Sequence, residues 1–142
     1  EGRHPVIVVG QGVVDWVSVR AQSIFGPTSR GIGLAKDGVI VAGVVYENWN
    51  RRNVFVHQAI EGRLTRQYLW TISDYPFNQL GVERVTGLIP QGNTKAARAA
   101  EKIGFELETA LKDAHPSGDL LVYVIRRENC RWLNEALYKK AA

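Results

Sequence analysis

Residues 54–70, VFVHQAIEGRLTRQYLW, change their hydrophobic period once, and that change decides the fold. Val54 to Ile60 is apolar and β-rich and reads as a strand, closed by Glu61-Gly62. Beyond it the period becomes helical, because Leu64, Tyr68, Leu69, Ile72 and Tyr75 fall on one stripe. A helix is expected to begin within Arg63-Leu64-Thr65-Arg66, with Pro76 disturbing it near Tyr75 and Gly81 stopping it. That junction carries a chemical implication. The first N–H groups of a helix lack intrahelical acceptors and, with the helix dipole, favour an anion; Arg63 and Arg66 strengthen the preference.

Working outward, Val82 to Ile89 reads as another strand, followed by Pro90-Gln91-Gly92. Asn93 is a good N-cap for the Ala-rich helix Thr94 to Ile103, and Gly104 is its C-terminal stop. Ala96, Ala97, Ala99 and Ala100 let that helix approach a neighbouring sheet or a ligand closely. Phe105 to Lys112 and Leu120 to Arg126 are the last strands, joined by a turn at Pro116-Ser117-Gly118. Toward the N-terminus, Val6 to Val9 is a strand, and Val13, Trp16, Val17 and Arg20 begin a helix that ends before Gly26-Pro27. Ile32 to Lys36 and Val39 to Glu47 flank Asp37-Gly38, the signal of a type I′ hairpin. The order β-α-β-β-β-α-β-α-β-β predicts an α/β sandwich with a mixed, mostly antiparallel sheet flanked by helices. One domain is expected over residues 1–142, with a basic tail, residues 128–142, open to being helical.

Composition narrows the functional classes. The chain has 142 residues, 45% of them hydrophobic and 23% charged, as in globular proteins and unlike disordered or collagen-like ones. Its longest apolar run, Val39 to Tyr46, is far short of the ~20 residues of a membrane helix, so no membrane partner is expected. The first apolar run is broken at Gly10-Gln11-Gly12, so residues 1–17 lack the apolar block of a secretion signal, and a cytoplasmic location is expected. The absence of Met, even at position 1, implies a trimmed or processed start. Cys130 is the single cysteine and no Cys/His cluster has zinc spacing, so no metal is expected. A net charge of +4 suits an anionic partner, but a modest excess spread along a chain is usually a solvated surface, so nucleic acid is not expected; a phosphorylated cofactor is the other anionic partner to test.

Gly10-Gln11-Gly12 with Asp15 has the look of a dinucleotide-binding turn, but the third glycine is missing and a hairpin follows where a parallel strand belongs. A different set of residues is more specific: Asp74-Tyr75 followed by Phe77, Leu80-Gly81, Arg84-Val85, the block from Asn93 to Phe105, and Gly118-Asp119 before the last strand. In this order, within the element succession from Val6 to Arg126, they resemble the GNAT family of acetyl-CoA-dependent N-acetyltransferases. The resemblance is to its RimJ/RimL-like branch, which acetylates protein N-terminal amines.

The resemblance implies a GNAT fold, acetyl-CoA as cosubstrate, a primary amine as acceptor, and direct transfer without a metal. A second copy of the chain, as a homodimer, is an open partner. By position, Gln58, Ala59 and Ile60 would bind pantetheine through backbone groups, and the pyrophosphate loop falls on Ile60 to Thr65, Leu64 included, with Arg66 adjoining it. The family's loop begins with Arg or Gln and carries two small residues. Here Ile60, Arg63 and Thr65 stand at those places and Gly62 remains nearby, so Arg63 and Arg66 would supply charge-assisted bonds instead of the glycines' close approach. Asn93 would bond the pantetheine arm as well as cap its helix, and Lys102 would reach a cofactor phosphate or simply be solvated.

Acetyl transfer needs a neutral amine, a polarised carbonyl and a proton for the leaving thiolate. The Tyr proton donor of many members maps to Ala100, and the Ser of some RimL-like members maps to Ala96, so neither acid is present. His57, Glu47, Tyr46 and Tyr123 remain as candidates, with a core histidine and a packed tyrosine as the alternatives. A GNAT-fold binding or structural module without catalysis is the competing expectation.

Overall fold

The computed structural model describes residues 4–134. Seven strands form one sheet: β1 (Val6–Val9), β2 (Arg30–Lys36), β3 (Val39–Glu47), β4 (Asn53–Ile60), β5 (Arg84–Pro90), β6 (Glu106–His115) and β7 (Gly118–Arg126). Three α-helices, α1 (Gln11–Ala21), α2 (Arg66–Asp74) and α3 (Thr94–Ile103), interrupt them in the expected order. The strand order is β1-β2-β3-β4-β5-β7-β6, and β4–β5 is its one parallel pair. Asp37 and Gly38 take φ of 54° and 80°, the left-handed pair that a type I′ turn demands.

The pleat sorts the chain into two cores. On one face α1 buries Val13, Val14 and Val17 against Val45 of β3. On the other, Val44, Val56, Val85 and Tyr123 meet Tyr68 and Leu69 of α2, Ile103 of α3 and the adjoining Phe105. Gly43 is required for the first contact: a Cβ there would lie 2.8 Å from Val17 Cγ2.

The start of α2 and the disturbance at Pro76 fall where expected, whereas strands β2, β4, β5, β6 and β7 differ at their ends. Helix α2 starts at Arg66, because the Thr65 side chain accepts the Tyr68 N–H and thereby acts as N-cap; Arg63 and Leu64 precede the helix. Pro76 lacks an N–H, and the chain continues past it as a π-helical turn, Tyr75–Gln79, before Gly81 at φ 72°. Strand β5 starts at Arg84, since Val82 is still held by Pro76 O. Strands β6 and β7 extend to His115 and from Gly118, which leaves Pro116-Ser117 as the tip of the hairpin. In the expected helical tail, two short 3-10 turns occupy Arg127–Asn129 and Arg131–Leu133; residues 135–142 lie outside the described residues. No helix among the described residues is long and apolar enough to cross a membrane.

Candidate active site

Strands β4 and β5 pair only from Asn53↔Arg84 to Val56↔Gly87. Beyond that point they part, and residues 57–60 keep β3 on one side but have no strand partner on the other. A cleft of about 560 Å³ opens in the gap. Its walls come from both faces of the sheet. His57 and the end of α1, Arg20 to Ser23, line one side, and Asn93, Ala96 and Ala100 of the α3 segment with Tyr123 of β7 line the other. The cleft therefore passes through the sheet.

His57 belongs to the α1 face. Its Nε2 lies 2.7 Å from Glu47 Oε2, both side chains are about three-quarters covered, and the Phe25 ring packs against the imidazole with centroids 4.9 Å apart. Against a carboxylate, which only accepts, Nε2 is the donor of this bond. Arg20 fixes the end of α1 here: its Nε donates to Glu61 Oε2 at 2.8 Å, and its guanidinium lies 3.9 Å from the Trp16 ring centre. On the other face the Tyr123 hydroxyl donates to Glu101 Oε2 at 3.3 Å. Burial, and then the neighbouring Glu101 charge, push the Tyr123 pKa up, so the phenol keeps its proton at neutral pH.

Asn93 lines the cleft while its Oδ1 accepts the Ala96 N–H at 3.1 Å, so it caps α3 as expected. The hairpin tip is pinned to the same mouth: Gln91 Oε1 accepts the Asp119 N–H at 2.8 Å, and Ser117 Oγ donates to Gln91 O. The anion-favouring junction lies at the far end of β4, where exposed Arg63 and Arg66 flank the Thr65 cap. Gly62 has a packing role there, since a Cβ would come within 2.8 Å of Val41 Cβ.

Comparison with solved structures settles the architecture. The chain superimposes on a mutant of the spermidine N-acetyltransferase SpeG from Vibrio cholerae with a TM-score of 0.71, at 14% identity, over 93% of this chain and 98% of that one. It also matches an acetyltransferase of the GNAT family from Bacillus anthracis, with a TM-score of 0.63 at 15% identity, over 90% and 98%. The chain has the GNAT acetyltransferase fold. A probable acetyltransferase of known structure matches at 21% identity and a TM-score of 0.59, over 81% of this chain and 69% of that one. No protein-family model and no curated protein sequence matches the chain.

Within the GNAT fold, the structure brings together His57, Gln58, Asn93 and Tyr123 at the cleft, with Glu47 behind His57 through their hydrogen bond. Tyr46 is not part of it: its buried hydroxyl bonds Ile72 O on the α2 face, where desolvation holds its pKa well above the ordinary value. Ala59, Ile60 and the loop from Gly62 to Arg66 lie past the cleft along β4, and Lys102 is exposed at the end of α3 away from it. Ala96 and Ala100 do line it, so the two positions expected to lack an acid face the cleft as methyl groups. Phe25 and Glu101, which position His57 and Tyr123, had no signal in the sequence, because one comes from an irregular loop and the other from an unremarkable helix face. Among the described residues no group of three or more His, Cys, Asp or Glu side chains could hold a metal ion.

Proposed function

We propose that the chain is an acetyltransferase that moves acetyl from acetyl-CoA directly to a primary amine, within one cytoplasmic domain. One observation carries the reading: a cleft crosses the sheet where β4 and β5 part, with a His–Glu pair on one face and a protonated tyrosine on the other. Acetyl-CoA supplies an acyl thioester. The residues present fit it, since the unpartnered edge of β4 can bond an extended arm as a strand would, Ala96 and Ala100 leave room beside it, and Arg63 and Arg66 suit its phosphates. In this reading His57 Nδ1 accepts the amine proton, Glu47 holds the imidazole in the required tautomer, and Tyr123 donates to the departing sulfur.

The favoured acceptor is an α-amine of a peptide or amino acid, in line with the RimJ/RimL resemblance. A lysine amine, with a reference pKa of ~10.4 against ~7.8, costs about 3.5 kcal/mol more to deprotonate at neutral pH. A single histidine–carboxylate pair suits the easier amine. The test compares kcat/KM for a lysine-free peptide with a free N-terminus, an N-blocked peptide with one lysine, and spermidine, the substrate named for SpeG. A higher value for either of the last two overturns the α-amine assignment. The methyl groups of Ala96 and Ala100 in the cleft favour a second reading, a CoA-binding module without catalysis. Calorimetric CoA binding with no turnover of any amine would establish that reading instead.

A further inference from the structure

Below the point where β4 and β5 part lies a second, smaller void of about 30 Å³. Its inner walls are Val44, Ile72, Phe77, Val85, Ile103 and Ile125. It shares Val56, Gln58 and Phe105 with the cleft, so the two spaces adjoin. Gly87, paired with Val56, stands at the junction: a Cβ there would meet nothing nearer than Val56 Cγ2 at 3.9 Å and Phe105 Cε2 at 4.0 Å. The passage therefore has room for a methyl-sized group.

The void is mostly apolar. Ser73 donates its hydroxyl hydrogen to Leu69 O and Tyr46 to Ile72 O, and the remaining polar lining residue, Gln58, lies at the end shared with the cleft. Space of this size exceeds the ~10–15 Å³ one water needs, and a mostly apolar lining favours hydrocarbon over water. It lies on the α2/α3 face, on the far side of the sheet from His57, so a chain entering it from the fork would leave the His57 side free for the amine.

We propose that this void is an acyl-chain pocket and that the protein takes short straight-chain acyl-CoA donors longer than acetyl, propionyl-CoA first among them. The proposal rests on the acyl-transfer reading above and names its donor. The step is unchanged in kind. The new C–N bond forms as the C–S bond breaks, one amine proton passes to His57, and the thiolate takes the Tyr123 proton.

The test measures calorimetric affinities of the full chain for CoA, acetyl-CoA, propionyl-CoA and butyryl-CoA, followed by transfer of each acyl group to one amine. Propionyl-CoA is expected to bind about fourfold tighter than acetyl-CoA, the worth of one buried methylene, and butyryl-CoA to lose that gain. Val85→Ile, which puts a methyl into the void without touching the cleft, should cancel the propionyl advantage and leave acetyl-CoA affinity unchanged. Ile103→Val, which enlarges the void, should improve butyryl-CoA. Acetyl-CoA binding as tightly as propionyl-CoA, or a propionyl advantage that Val85→Ile leaves intact, overturns the acyl pocket alone. Failure of every CoA species to bind, free CoA included, overturns the acyl-transfer reading together with it.

Discussion

His57 and Glu47, from adjacent antiparallel strands, meet through a 2.7 Å hydrogen bond at the rim of the gap in the sheet. They are not paired neighbours. His57 opposes Val45 and Glu47 opposes Phe55, so the contact runs diagonally across one face of the sheet. His57→Gln is expected to lower kcat/KM by about 10²–10⁴-fold if the imidazole is the base. Glu47→Gln, which keeps the shape and removes the acceptor charge, should lower it less. Steady-state kinetics with unchanged CoA affinity in both variants checks the assignment; undiminished turnover in His57→Gln refutes it.

Arg63 and Arg66 are exposed at the α2 start and belong to none of the described salt bridges. Replacing both by Ala should weaken CoA binding by roughly 1.5–3 kcal/mol, since two charge-assisted bonds overlap and are partly screened. Calorimetry reads the loss directly. Unchanged affinity would place the phosphates elsewhere.

Asn93 has two roles that one substitution separates. Asn93→Asp keeps an oxygen for the Ala96 N–H and adds a charge that the helix start favours, so the Tm should hold or rise slightly. The same charge beside the cleft should weaken CoA. A fallen Tm with unaltered CoA affinity would leave Asn93 as a cap only.

Gly62 tests whether a glycine in the expected phosphate loop serves the ligand or the fold. Gly62→Ala should destabilise by about 1–3 kcal/mol through the 2.8 Å approach to Val41. The double variant with Val41→Ala should recover most of the loss in thermal unfolding. No recovery would show that the glycine answers to something other than Val41.

Glu108 supplies a pH-dependent contribution. The Arg84 hydrogen bond, followed by the charges of Arg84 and Arg126, holds its carboxyl below the ordinary range despite some desolvation. A depressed folded pKa means the stabilisation is fully present above the unfolded value of about 4.3 and is lost as pH falls through the folded one. Glu108→Gln should therefore lose stability at neutral pH, change little at low pH, and so flatten the acid side of the stability–pH curve. Denaturant unfolding from pH 7 downward measures it, and an unaltered acid limb in Glu108→Gln refutes it.

Local chemistry settled much of this protein in its sequence. The element order, the Asp37-Gly38 hairpin, the Asn93 cap and the Gly104 stop each depend on φ preferences, side-chain caps or hydrophobic period within a few residues, and each stands in the structure. Glu47 and Asn93 stand at a strand end and a helix start, where polar side chains are expected, whereas His57 and Tyr123 lie inside β4 and β7 and became candidates only through the resemblance. Tertiary structure alone decided which of them meet. The diagonal contact between His57 and Glu47, the seating of Phe25, the rejection of Tyr46 to the opposite face and the packing duty of Gly62 all depend on strand register and pleat. A register shift of one residue moves every side chain to the other face, and no pattern along the chain records where two parallel strands stop pairing. That stopping point, Val56↔Gly87, opens the cleft.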